Sequence, residues 1–452
     1  MIARYFCLTE RSTTLRIELT AGLTTFLTMA YIVFVNPSIL AGGTGMDSQG
    51  VIAATCIATA VATILVGLFA NAPIAMAPGM GLNAFFAYSL VLGDKVPWQT
   101  ALGVVFLSGA FFLVLTLLGL RKKMVEAIPA SLISAIAVGI GLFITFIGLR
   151  NLGVIVQGSP ATLVKAGDLT PTVLIGLAGL ILMIFLEIKK IRGALLLGIL
   201  FSTLLAALCG HINRPEKLVE VNLHIQSVAF QLDILGALKW GMMGSIFSLM
   251  FMDMFDSVGT LVACCHQAKL VDEDRRIKGL DRLLGIDALA TMIGAVLGTS
   301  TTTSYIESAA GIEQGGRTGL TSIATGVLFL LTLLFIPVIG IVPPYATAPA
   351  LIMVGLFMMK EVKQINFTDL DEAFPAFIIM VMIALSYSIS TGLAFGFLSF
   401  VIIKTVSGKL SDIKPAMWII AVLSLGFLTL DKLPMFIQWI QSSVPDPAPN
   451  PI

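Results

Sequence analysis

Three carboxylates stand inside stretches that are otherwise apolar. Asp253 and Asp256 lie in Phe251-Met252-Asp253-Met254-Phe255-Asp256-Ser257-Val258-Gly259-Thr260, and Glu307 in Tyr305-Ile306-Glu307-Ser308-Ala309-Ala310-Gly311. A carboxylate in a spanning helix costs about 3 kcal/mol or more unless it faces protein or water, so such a residue marks a used site. Asp253 and Asp256 are three apart and share one helix face. Two acids side by side in a low dielectric repel one another, which suits a group that takes up and releases a proton. The other reading, that one of them only caps or hydrogen-bonds a neighbouring helix, stays open, above all for Asp253. Glu307 opens a short helical piece after a threonine run, where the helix N-terminus favours a carboxylate and a ring N–H could donate to it. Asn83, in Ala77-Pro78-Gly79-Met80-Gly81-Leu82-Asn83, offers both a donor and an acceptor, as an amide-like or aminopyrimidine edge requires. Phe85, Phe86, Tyr88 and Phe255 could face a flat ring, although aromatics in apolar helices are by default packing.

The elements that hold these residues follow from composition. Of 452 residues, 57% are hydrophobic and 12% charged, against about a quarter charged in soluble domains, and the mean hydropathy is +0.98. Apolar runs long enough to cross about 30 Å of hydrocarbon recur along the chain, and in lipid a run must be helical to satisfy its own backbone. Spans are expected near 19–39, 50–70, 73–91, 99–119, 125–148, 170–187, 193–210, 234–264, 283–297, 299–314, 318–340, 345–359, 370–388 and 389–407. The first follows Thr9-Glu10-Arg11-Ser12 without a small-residue cleavage site and reads as retained. Trp418 to Leu430 is short for a crossing and is left as a terminal or interfacial helix.

With the N-terminus inside, one set of loops holds Arg4/Arg11/Arg16, Arg121/Lys122/Lys123, Lys189/Lys190/Arg192, Lys269/Arg275/Arg276/Lys278/Arg282, Lys360/Lys363 and Lys404/Lys409/Lys414. The opposite loops hold only scattered bases such as Lys95, Lys165, Arg214 and Lys217, so the cytoplasmic face is the basic one. Each half of the chain has a short broken span, the third and the tenth. The eighth span restarts the pattern after seven, and an odd number inverts the second repeat. Pro73 to Ala77 and Thr299 to Thr303 read as extended pieces feeding half-helices. Backbone N–H groups exposed at such breaks are tolerated only around a buried cavity or a ligand. The bland reading is close packing through glycines, as Gly294 and Gly298 would give in GxxxG spacing.

Several classes have no chemistry to stand on. The net charge of +1 offers no basic field for nucleic acid. Cys7, Cys56, Cys209, Cys264 and Cys265 form neither a metal spacing nor a disulfide framework, and Cys264-Cys265 reads as reduced thiol. No phosphate loop, kinase set, nucleophile elbow or metal motif is present, so neither an enzyme nor an ATP-driven pump is indicated, and no cofactor beyond a coupling proton. His211 and His224 fall in an outer loop and His266 at a cytoplasmic end, so no histidine proton relay is expected mid-membrane. Glu313 and Arg317 read as a solvated pair at the cytoplasmic edge, and Asp287, early in its span, is ambiguous.

The segments from Ala21-Gly22-Leu23 to Asn36-Pro37, from Ala77 to Phe86, from Phe255 to Thr260, from Tyr305 to Gly311 and Tyr345-Ala346-Thr347-Ala348-Pro349-Ala350 together resemble the nucleobase:cation symporter-2 family. The likeness is to its azaguanine-type (AzgA-like) adenine, guanine and hypoxanthine permeases of bacteria and fungi. It implies an all-α polytopic fold of fourteen spans in two inverted sevens. Core-domain parts would fall at 1–119 and 231–340, gate-domain parts at 120–230 and 341–414, and a C-terminal segment at 415–452. It also implies proton-coupled purine uptake across the inner membrane, with the base held between the third and tenth spans, and a dimer. Asn83, Asp256 and Glu307 match the polar binding positions, and Asp253 a second acid found in some members. One rival is an anion transporter of the same architecture, which would want positive half-helix ends and few acids. The other is a passive channel, which would need a continuous polar stripe.

Overall fold

The computed structural model describes residues 2–119, 128–159, 162–212, 219, 224–270, 277 and 279–443. Arg121, Lys122, Lys123, Arg214, Lys217, Arg275, Arg276 and Lys278 of the charge map lie outside them. The chain is built almost entirely of helices. In the first half these are α1 Leu15–Met29, α2 Ile32–Leu40, α3 Ser48–Leu65, α4 Met80–Ala84, α5 Trp98–Leu117, α6 Ala130–Leu152, α7 Pro171–Ile188 and α8 Ala194–Leu208. The second half has α9 Met243–Gln267, α10 Leu280–Leu297, α11 Ser308–Glu313, α12 Gly319–Thr332, α13 Pro344–Met358, α14 Leu370–Ser386, α15 Ile389–Val406 and α16 Pro415–Ser443. Four short strands accompany them: β1 Met76–Pro78, β2 Ile155–Gln157, β3 Val164–Ala166 and β4 Thr302–Ser304. Nine helices among the described residues are long and apolar enough to cross a bilayer.

Local chemistry sets the helix ends. Thr14, Asp47, Thr170, Thr318 and Ser388 each accept a backbone N–H from the first turn that follows, satisfying donors that a helix leaves free. Gly298 ends α10 at φ 92°, and a Cβ there would lie 2.6 Å from the Val228 carbonyl oxygen. Only glycine fits both demands. A Cβ at Gly294 would lie 2.6 Å from Thr302 Oγ1. The two glycines therefore let a chain fold back against the end of α10, where their spacing had suggested a helix-to-helix seam.

The extended pieces fall close to where the breakers and threonines put them. β1 and β4 pair antiparallel, Met76 with Ser304, Ala77 with Thr303 and Pro78 with Thr302. The ladder continues beyond the strands, with Gly79 N donating to Thr301 O at 2.9 Å and Tyr305 N to Ala75 O at 3.0 Å. Side chains complete it: Thr63 Oγ1 meets both N and O of Met76 at 3.0 Å, and Tyr305 donates to Pro78 O at 2.5 Å. Irregular backbone at this depth is tolerated because each of these groups has a protein partner.

Loops expected on one face do meet. Arg11 donates to Asn71 O and Arg317 O, Arg192 to Gln314 Oε1 and Arg282 to Phe69 O. At the other end Ser227 donates to Asp47, and Thr100 to Asp233. Glu313 accepts from Gln267, while Arg317 spends its guanidinium on Ile312 O, at 2.7 Å, and Gly316 O, at 2.8 Å. These two residues thus serve other partners where a mutual pair was expected.

One group of helices packs α6 against α13 and α14, with α15 on α14; another packs α1 and α3 on α12, and α5 on α10. At the end holding Asp47 the two groups are joined by polar contacts. Ser89 donates to Tyr387 O at 2.7 Å, and Asn151 and Arg150 are the polar neighbours of the Tyr88 and Tyr387 side chains. Tyr387 holds a left-handed φ of 55°, a conformation costing a non-glycine residue about 1–2 kcal/mol. The rings of Phe143 and Phe146 meet it edge-on at 5.6 and 5.5 Å. Elsewhere the junction includes apolar contacts: a Cβ at Gly81 would lie 2.6 Å from Ile140 Cγ2, and the Phe251 ring meets Phe397 at 6.3 Å.

The stretch from Trp418 to Leu430 belongs to α16, which lies along α15. It buries Met417, Ile420, Ala421 and Ser424, while Trp418, Ile419, Val422, Leu423 and Leu425 stay exposed. An interfacial helix would carry a polar outer face. Here both faces are apolar.

Candidate functional site

The ladder places α4 and α11 end to end about one point, and α9 passes beside them. Asp253 and Asp256 are on neighbouring flanks of α9 but meet different surroundings. Asp253 is 1% exposed and accepts from Thr291 of α10 at 3.0 Å; the same hydroxyl reaches Thr302 O at 3.1 Å. Asp253 thereby braces α9, α10 and β4 together. Asp256 keeps an exposed surface although protein crowds it, with Asp287 and Glu307 as acidic neighbours. What it faces is a crevice.

The exposed residues that follow on α9 are Gly259, Ala263 and His266, a stripe of small and polar side chains at helical spacing. The lipid-type faces look different: the exposed residues of α12 include Val327, Leu330 and Leu331. The stripe runs from Asp256 to the end of the molecule that holds Arg11 and Arg317. Near its inner end stand Glu307, half-buried, and Ile306, exposed.

Glu307 sits at the N-terminus of α11. Tyr31, at the break between α1 and α2, donates to Glu307 Oε1 at 2.5 Å, and Thr28 reaches the Glu307 carbonyl at 3.5 Å. Asp287 is wholly buried and accepts from Ser304 at 3.3 Å. Ser257, one residue beyond Asp256, shares a hydrogen bond of 2.7 Å with Thr303.

Asn83 is 0% exposed. Its Oδ1 accepts from Ser300, and its Nδ2 donates to Pro78 O at 3.5 Å, so in this arrangement the amide ties the two broken spans together. Phe85 is 1% exposed within the core, whereas Phe255 keeps some surface and tilts against Phe251 at 5.7 Å. The structure therefore gathers Asp256, Glu307 and Phe255 around open space, and sets Asn83, Asp253 and Phe85 behind them. Tyr31, Ser300 and Thr303 were not singled out by sequence. A tyrosine in an apolar run gives no signal of its own, and the threonine run had been read only as backbone.

Paired broken spans, joined by a ladder inside a multi-pass helical protein, define the class: an inverted-repeat membrane transporter. The transmembrane domain of the cyanobacterial bicarbonate transporter BicA has this fold, with a TM-score of 0.62 at 18% identity over 83% of this chain and 97% of that one. The profile Xan_ur_permease, of the Permease family, matches residues 16–429. The adenine permease AdeP of Escherichia coli K12 is 43% identical, covering 94% of this chain and 95% of that protein. The guanine/hypoxanthine permease PbuO of Bacillus subtilis 168 is 40% identical, covering 92% and 98%. The chain belongs to the nucleobase:cation symporter-2 family.

Proposed function

We propose that this chain is a proton-coupled importer of purine nucleobases in the cell (inner) membrane, with its N-terminus cytoplasmic. The observation that carries the reading is the crevice-facing Asp256 opposite Glu307, an uncharged-heterocycle site by its chemistry, in a chain whose relatives are named adenine and guanine/hypoxanthine permeases. Glu307 would accept from a ring N–H, Phe255 would offer a face, and Asp256 would bind substrate or carry the proton. Asp253 and Asn83 would hold the surrounding helices in place.

Helices α1–α5 and α9–α12 would form the core and α6–α8 and α13–α15 the gate, moving against each other in alternating access. The polar contacts of Tyr88, Ser89, Asn151, Arg150 and Tyr387 close the outer end between them, while the stripe from Asp256 to His266 opens the inner end, an arrangement consistent with an inward-facing state. The anion reading is disfavoured by the acids at the crevice, since carboxylates repel an anionic cargo.

The test is uptake of radiolabelled hypoxanthine and adenine into proteoliposomes under an imposed pH gradient. Accumulation should collapse with a protonophore. Glu307→Gln should damage recognition, and Asp256→Asn should impair accumulation more than counterflow exchange. Wild-type accumulation by both variants, or uptake indifferent to the gradient, would overturn the assignment.

A further inference from the structure

Tyr31 is fixed from three directions. It lies at the turn where the first span breaks into α1 and α2. Its ring is 1% exposed within the main core cluster. Its hydroxyl donates to Glu307 Oε1 at 2.5 Å, while Thr28, one turn earlier, holds the Glu307 main chain. Tyr305 and Asp256 are its other polar neighbours.

A carboxylate has two oxygens with about four lone-pair sites and takes two parallel N–H donors best when neither oxygen is already shared, because a first hydrogen bond leaves that oxygen the weaker acceptor for a second. The Tyr31 hydroxyl already uses one lone pair of Oε1. We infer that Tyr31 is a specificity-determining residue: by drawing on one oxygen of Glu307 it leaves the other as the stronger acceptor, so the site rewards the first N–H donor of a purine more than an adjacent second one. The inference rests on the reading that Glu307 meets the purine.

The purines separate cleanly on this criterion. Guanine carries N1–H beside its 2-amino group, a two-donor edge that matches a free carboxylate. Hypoxanthine carries N1–H beside a C–H. Adenine has no N1–H and sets its 6-amino group beside a ring acceptor. A site with one oxygen already shared therefore gains less from the second donor of guanine.

The experiment measures binding of guanine, hypoxanthine and adenine to purified wild-type protein and to Tyr31→Phe, which removes one oxygen atom from a buried ring. In the variant, guanine should gain on hypoxanthine by about tenfold, the scale of one added hydrogen bond to a charged group, and the gain should vanish in Tyr31→Phe combined with Glu307→Gln. Equal weakening of all three purines, with their ratio unchanged, would reduce Tyr31 to a brace and overturn the inference. If Tyr31→Phe does not purify as a folded protein, the wild-type ratio decides: hypoxanthine should bind at least as tightly as guanine, and a tenfold preference for guanine overturns the proposal. Wild-type protein that binds no purine would instead remove the functional reading itself, and this inference with it.

Discussion

Glu18 gives a stringent test of how the two repeats are held together. It lies in the first turn of α1, is 0% exposed, and its carboxylate is spent on the start of α12, far away in sequence. Oε1 accepts from Arg317 N at 2.9 Å. Oε2 accepts from Thr318 N and Thr321 N, each at 3.2 Å, and from the Thr321 hydroxyl at 2.6 Å. Glu18→Ala would take this acceptor from three backbone donors and one hydroxyl, of which Thr321 N keeps Thr318 O at 3.2 Å and the Thr321 hydroxyl keeps Glu18 O at 3.4 Å. A buried donor left unpaired costs about 1–3 kcal/mol, but the four share one acceptor and the Thr318 side chain still caps the helix. The total should therefore be about 3–4 kcal/mol rather than a simple sum. Glu18→Gln keeps one acceptor oxygen but turns an N–H₂ toward backbone donors and loses the charge that favours a helix N-terminus, so about 2 kcal/mol is expected. Denaturation in detergent, followed by tryptophan fluorescence and circular dichroism, measures both. A loss below about 1 kcal/mol for Glu18→Ala would refute the reasoning, because it would mean these donors find other acceptors at no cost.

Asn83→Ala should lower stability by about 1–3 kcal/mol, since it strands the Ser300 hydroxyl and the amide joins both broken spans; a thermal-shift assay without ligand checks this, and an unchanged midpoint would return Asn83 to a purely ligand-facing role. Ser89→Ala combined with Asn151→Ala should loosen the outer junction. A cysteine at Ile306 should then become reactive to an impermeant maleimide from outside as well as from the cytoplasmic face, in a background lacking the exposed Cys209, and labelling from one face only would refute it.

Sequence and structure agree most where a single local signal was enough. The spans were legible because lipid demands long apolar helices, and the extended pieces because Pro73, Pro78 and the threonine run cannot continue one. Asp256 and Glu307 were legible because each interrupts an apolar pattern. What was not legible depends on partners far away in the chain. Asp253 and Asp256 are indistinguishable at a spacing of three. Only the packing of α10 decides that Thr291 covers one while the other looks into the crevice. Tyr31 resembles any packed aromatic until the fold brings Glu307 to it from 276 residues away. Asn83 was marked as a ligand-facing amide from its type and its place in the broken span. That Ser300 of the opposite repeat donates to it in this arrangement is a tertiary fact that no local signal carries.

The stitching of β1 to β4 also decides where this protein can yield. Pulling α4 away from α11 would break a run of hydrogen bonds in a place without water to replace them, each at a cost of several kcal/mol. The contacts of Gly81 with Ile140 and of Phe251 with Phe397 are non-directional, and apolar surfaces can exchange such contacts in small steps. The molecule thus contains a rigid cartridge and a slip plane. In the alternating access proposed above, the displacement that carries a bound molecule from one face to the other would run along the slip plane, and the recognition geometry would travel with the cartridge.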